Sequence, residues 1–208
     1  MTAVASDIPM APDRGDPAPV VFARTVDEDR AAAAVSDLLD ALGLDTRDDG
    51  LAETPRRVAR MFAELLSPQP FRPTTFPNDA GYDELVMVSD IAFTALCEHH
   101  LLPFRGVAHV GYLPDEQIIG VSKLARLVEA FASRPQVQER LTAQIADWLR
   151  HHLGPRGVGV VVEAEHLCMS IRGVRSHGAR TITSALHGRL REDPAARREF
   201  LDLARTGT

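Results

Sequence analysis

Apolar residues recur at helical intervals in the first third of the chain, then at strand intervals or in unbroken runs further on. Ala31, Val35, Leu38, Leu39 and Leu42 fall on one face of a predicted helix. Before it, Thr25-Val26-Asp27-Glu28 has the form of a capping box, and after it Gly43 stands where a left-handed C′ residue ends a helix. A second face, Val58, Met61, Phe62 and Leu65, follows Thr54 as N-cap and Pro55, whose missing N–H is harmless in a first turn. Prolines at 68, 70, 73 and 77 then predict an extended connector, because each lacks a donor and restrains the residue before it.

From Glu84 the pattern turns to β. The runs LVMVSDIAFTAL, VAHVGYL (107–113), GVGVVVEAEHLCMSIRG (157–173) and TITSAL (181–186) are rich in residues that suit a pleated sheet. Two helices interrupt them. One begins at Ser122 with Leu124, Leu127, Val128 and Phe131 inward; the other begins at Pro135 with Val137, Leu141, Ile145, Trp148 and Leu149 inward, and stops at Gly154-Pro155. A last short helix follows Asp193-Pro194 through Phe200 and Leu203. The sum is an α+β chain, with a mostly antiparallel sheet backed by a helical pair. Residues 1–24 read as a flexible tail, 25–67 as N-terminal helices, 68–83 as the connector and 84–208 as the core.

Composition narrows the function classes. The 208 residues, 45% hydrophobic and 25% charged, suit one or at most two globular domains. No apolar run nears the roughly 18 residues that span a bilayer, and the start resembles no secretion signal, so a cytoplasmic protein is expected. With 23 Lys+Arg against 29 Asp+Glu the net charge is −6, which argues against nucleic acid or an anionic membrane as partner. Any bound anion must meet a local cluster of cations.

The densest group of potential ligands is Cys97-Glu98-His99-His100, and the other cysteine, Cys168, has His166 two residues before it. Cys97 and His100 at C-x-x-H spacing can grip one ion from a single turn, and Cys168 would add a third soft ligand from afar. Three protein ligands leave a tetrahedral position open, the pattern of a catalytic zinc with a bound water. His99 and His166 would then stand beside the metal as proton carriers. Two buried thiols and polar residues at a strand end explain the same positions without any metal.

Ser122, Lys123 and Arg126 lie in the first turn of a predicted helix, where unpaired N–H groups and the positive dipole end favour phosphate. Arg172 could bring another guanidinium near Cys168, and Arg57 and Arg60 share a face of the earlier helix; a solvated surface charge is the alternative for each. Gln138 and Glu139 open the helix after Pro135. A carboxylate there is favoured by the dipole alone, yet it also matches the N1–H and exocyclic amine on the edge of guanine.

Seven blocks in order, ETPRRVARM (53–61), CEHHLLPF (97–104), GYLP (111–114), IGVSKLARLVE (119–129), RPQVQERLT (134–142), GVGVVVEAEHLCMSIRGV (157–174) and REDPAARREF (191–200), resemble the GTP cyclohydrolase I family. The likeness runs from about Thr25 to the C-terminus.

That resemblance implies zinc-dependent conversion of GTP to 7,8-dihydroneopterin triphosphate and formate, the first step of folate and pterin synthesis. It implies Cys97, His100 and Cys168 as ligands of Zn2+, His99 and His166 as the acid/base pair, and Ser122 as a hydroxyl assisting the sugar rearrangement. Gln138 and Glu139 resemble the pair that reads guanine. Lys123, Arg126 and Arg172 correspond to triphosphate contacts, with Arg57 and Arg60 reaching in from a neighbouring subunit. The implied fold is the tunnelling fold (T-fold), in which antiparallel sheets from five subunits close a barrel and two pentameric rings form a homodecamer. Closure removes the open edges of an isolated sheet. Two other readings share the residues: a non-catalytic GTP-binding regulatory ring, and another tunnelling-fold enzyme of pterin or deazapurine chemistry, such as a lyase with three histidine ligands or a reductase using Cys97 as nucleophile without metal.

Overall fold

A computed structural model describes residues 26–205. The expected tail at 1–24 and the Thr25 end of the expected capping box lie outside these residues. In chain order the elements are α1 (Glu28–Ala41), α2 (Thr54–Leu65), β1 (Thr75–Pro77), β2 (Val86–Cys97), β3 (Pro103–Leu113), β4 (Gln117–Ile119), α3 (Val121–Ala132), β5 (Pro135–Gln136), α4 (Gln138–His152), β6 (Gly157–His166), α5 (Leu167–Ser170), β7 (Thr181–Gly188), α6 (Arg189–Glu192) and α7 (Pro194–Arg205).

The cap of α1 is Asp27, whose carboxylate accepts from the Arg30 N–H at 3.0 Å. The helix ends as its sequence predicts: Gly43 takes φ 75°, and the N–H groups of Gly43 and Leu44 bond back to Asp40 and Leu39 in a Schellman arrangement. In α2 the N-cap is Glu53, one residue before the expected Thr54, with Pro55 in the first turn. These helices pack chiefly on each other. No residue of α1 is buried, and Met61, expected inward, is 43% exposed.

Five strands form the main sheet in the order β5-β2-β3-β6-β7, antiparallel except for the β5-β2 pair. Alternate residues Ala108, Val110 and Tyr112 of β3 and Val158, Val160 and Val162 of β6 meet Leu124, Leu127, Val128 and Phe131 of α3 and Leu141, Ile145, Trp148 and Leu149 of α4 in one buried core. The intervening Gly111 and Gly159 pair across the ladder on the other face. There Phe200 of α7 lies over them, so close that a Cβ on Gly159 would stand 2.7 Å from the ring. Leu113, Leu186 and Leu190 complete this smaller core.

Three sequence-based boundaries need correction. The strand expected over 157–173 stops at His166, where its ladder with β3 ends at the Phe104↔His166 pair next to Pro103, which has no N–H to extend it, and the chain turns into α5 instead. The helix expected from Pro135 begins at Gln138; Pro135 and Gln136 are used as β5, paired with Leu96 and Cys97. The proline connector contains β1, held by β4.

Candidate active site

Register brings the distant ligand blocks to one end of the sheet. Leu96 pairs with Pro103 across β2 and β3, and Phe104 pairs with His166 across β3 and β6. Cys97 ends β2 and Cys168 sits two residues beyond β6, so both are delivered to the same place. The turn after Cys97 is tight: Cys97 N–H donates to Leu102 O at 2.9 Å, Leu101 N–H returns to Cys97 O at 2.8 Å, and Leu101 itself takes φ 53°. A further bond, Glu98 N–H to Gln136 O at 3.0 Å, ties this turn to β5, just before α4.

One ligand atom each from Cys97, His100 and Cys168 lies within 4.8 Å of the others. Cys97 Sγ is 3.7 Å from His100 Nδ1. Tetrahedral bonds of about 2.3 Å to sulfur and 2.0–2.1 Å to nitrogen separate ligand atoms by roughly 3.5–3.8 Å, so the trio fits a divalent ion. Burial and the neighbouring Cys97 sulfur push the Cys168 thiol up, with Arg172 pulling the other way. His99 is outside the trio: its Nδ1 lies 3.9 Å from Cys97 Sγ, its Nε2 lies 3.8 Å from Glu98 Oε1, and its side chain is largely exposed.

His166 stacks on Phe104 with ring centroids 4.6 Å apart and planes 4° from parallel. Its Nε2 meets Gln138 Oε1 at 2.7 Å. Burial holds the imidazole below its ordinary value, and the Glu139 carboxylate partly offsets that shift. Glu139 is exposed in the first turn of α4, but Gln138 beside it is only 1% exposed. Its amide nitrogen is taken by Val162 O, Thr181 O and Thr183 Oγ1. Gln138, expected to read a ligand together with Glu139, is turned toward the sheet and His166, whereas Glu139 is exposed.

The cations are dispersed. Ser122, Lys123 and Arg126 occupy the first two turns of α3, whose N-cap Gly120 leaves N–H groups without a side-chain partner. Arg126 lines a shallow cavity of about 340 Å³ with Gln69, Pro70, Phe71 and Glu129. Arg172 is exposed just past α5. In α2, Arg57 donates to Gly50 O and Thr54 Oγ1 of its own neighbourhood, and Arg60 is exposed. One pair escaped sequence reasoning. Arg140 of α4 binds the Glu98 carboxylate and also donates to Gln136 Oε1 at 2.9 Å and Pro135 O at 3.2 Å, clamping the ligand turn to α4. Its only signal in the sequence is the four-residue spacing of Gln136 and Arg140.

Three side chains placed to hold a metal ion, beside a half-buried imidazole and an exposed carboxylate at one end of an α+β sheet, have the form of a metal-dependent enzyme's site. Residues 31–205 match the family model described as GTP cyclohydrolase I. The "GTP cyclohydrolase 1" of Streptomyces avermitilis is 58% identical over 184 residues, covering 85% of this chain and 90% of the relative. That of Aquifex aeolicus is 53% identical over 180 residues, covering 86% and 98%. Among solved structures, the archaeosine synthase QueF-Like in the apo form aligns with a TM-score of 0.40 and 17% identity over 50% of this chain and 93% of its own. The chain belongs to the GTP cyclohydrolase I family.

Proposed function

We propose that this chain is a zinc-dependent GTP cyclohydrolase I, converting GTP to 7,8-dihydroneopterin triphosphate and formate. The observation that carries this reading is the convergence of Cys97, His100 and Cys168 within ligand distance, next to His166 and Glu139. Their donor set of two thiolates and an imidazole suits zinc, and a zinc ion held there would lower the pKa of a bound water enough to furnish hydroxide near neutral pH.

The chain's own residues supply the rest. Glu139 accepts paired hydrogen bonds from the guanine edge and so orients the purine. As C8 is attacked, the imidazole ring opens and C8 leaves as formate, with His166 and His99 carrying protons between the ring nitrogens and the ribose. Ser122 assists the subsequent sugar rearrangement. Lys123, Arg126 and Arg172 hold the triphosphate, and a multiply charged anion on a protein of net charge −6 needs such local cations. Arg57 and Arg60 join them from a neighbouring subunit.

That last role requires assembly into the T-fold barrel and the decamer of two pentameric rings. Two features support it. β7 ends the sheet with its outer edge unpaired among the described residues, and Leu38, Leu42, Leu44 and Met61 are exposed apolar residues on or beside the α1–α2 pair. Among the described residues no helix is long and apolar enough to cross a membrane, in keeping with work in the cytoplasm. Zinc-loaded protein given GTP should release formate and, after oxidation, yield a fluorescent pterin. Bound GTP without formate would instead favour the regulatory ring.

A further inference from the structure

The Gln138 amide has one possible orientation, and this settles where the hydrogen of His166 sits. One end of the amide faces two backbone carbonyls, Val162 O at 3.0 Å and Thr181 O at 2.9 Å. Carbonyl oxygens only accept, so that end is the NH2 group; the reverse orientation would set oxygen against two oxygens. The same nitrogen lies 3.2 Å from Thr183 Oγ1. Thr183 Oγ1 lies 2.6 Å from Thr142 Oγ1, which donates to Gln138 O at 2.8 Å. Thr142 has thus spent its hydrogen, so Thr183 donates to Thr142 and has none to give toward Gln138.

The other end of the amide is therefore oxygen, and it stands 2.7 Å from His166 Nε2. An amide oxygen has no hydrogen to give, so His166 Nε2 must carry one. Turning the ring over would replace this bond with a carbon contact, and the parallel stack on Phe104 holds its plane. In the neutral ring the lone pair is then on Nδ1.

We infer that Gln138 is a positioning residue that locks His166 in its Nε2–H tautomer, so that every proton His166 exchanges with the substrate passes through Nδ1. This rests on the reading of His166 as an acid/base group in the proposed reaction. A generic buried glutamine would satisfy the backbone of β6 and β7 equally well without aiming its oxygen at a functional imidazole.

The tautomer can be read in the zinc-loaded full-length chain, labelled with 15N-histidine, with the His166 signals assigned by their loss in His166→Asn. A protonated Nε2 and a bare Nδ1 are expected; a protonated Nδ1 with a bare Nε2 overturns the inference. Gln138→Met supplies a second readout, since it keeps the length of the side chain but removes the acceptor. Turnover should fall by about tenfold or more while KM for GTP stays within about threefold, as expected when an acid/base group loses its orientation. A raised KM with kcat unchanged would mean that Gln138 contacts the base, and would overturn the inference. If Gln138→Met does not fold, the 15N measurement on the unmodified chain decides alone. Failure of the parent reading looks different, because unmodified zinc-loaded protein would then release no formate from GTP.

Discussion

Glu139 and Gln138 are neighbours at the start of one helix, yet their surroundings differ. Glu139 is exposed, while Gln138 is buried against β6 and β7 and bonded to His166. Glu139→Gln should therefore lower kcat/KM for GTP by roughly 10–100-fold, because an amide set against a guanine donor leaves that donor unmatched. Zinc content should be unchanged, and steady-state kinetics with a metal assay on the same sample checks both. Equal loss of zinc would mean that Glu139 supports the metal turn instead. The ligand trio was legible in the sequence because C-x-x-H and a remote cysteine are unusual in a chain with only two cysteines. The roles of Gln138 and Arg140 were not, since both depend on how far α4 slides along the sheet, which no local pattern encodes. Thr25 and Thr54 were expected as caps; Asp27 caps α1 with its side chain, whereas Glu53, the N-cap of α2, makes no such bond.

Among the elements, the long periodic ones were readable and the short ones were not. The inward faces of α3 and of α4 from Leu141 onward match the buried core, because ten or more residues repeat one amphipathic period. β1, β4, β5 and α5 have two to four residues each and exist only because a partner is in place. Prolines in β1 and β5 argued against strand at positions where only an edge or a strand end is required. Packing between elements gives a direct prediction. Gly159→Ala would drive a methyl group into the Phe200 ring, with a Cβ contact of 2.7 Å. Overpacking of this kind costs about 1–3 kcal/mol, so the urea midpoint should fall while zinc binding at the other end of the sheet persists. An unchanged midpoint would show that α7 is only loosely seated.

For the molecule as a whole, two half-buried histidines contribute to the response to acid. Burial holds both His152, stacked on Trp148, and His187 below their ordinary value of 6.5. Around His187 the Asp147 carboxylate pulls up, and Arg150, Arg191 and His151 pull down. Because the folded values lie under the unfolded one, the unfolded chain binds more protons as pH falls through 6.5. This share of stability is fully present at higher pH and is lost on acidification. Melting temperature should drop between about pH 7.5 and about pH 5.5, and His152→Phe should flatten that slope. A melting temperature that rises on acidification would contradict the assignment.

The most direct measurement is zinc K-edge X-ray absorption on the zinc-loaded, substrate-free protein. Cys97, His100 and Cys168 should give two sulfur scatterers at about 2.3 Å and one nitrogen at about 2.0–2.1 Å, with the fourth position filled by a light oxygen scatterer from solvent. Four protein ligands, or fewer than two sulfurs, would contradict an open three-ligand site and remove the basis for hydrolysis at this end of the sheet.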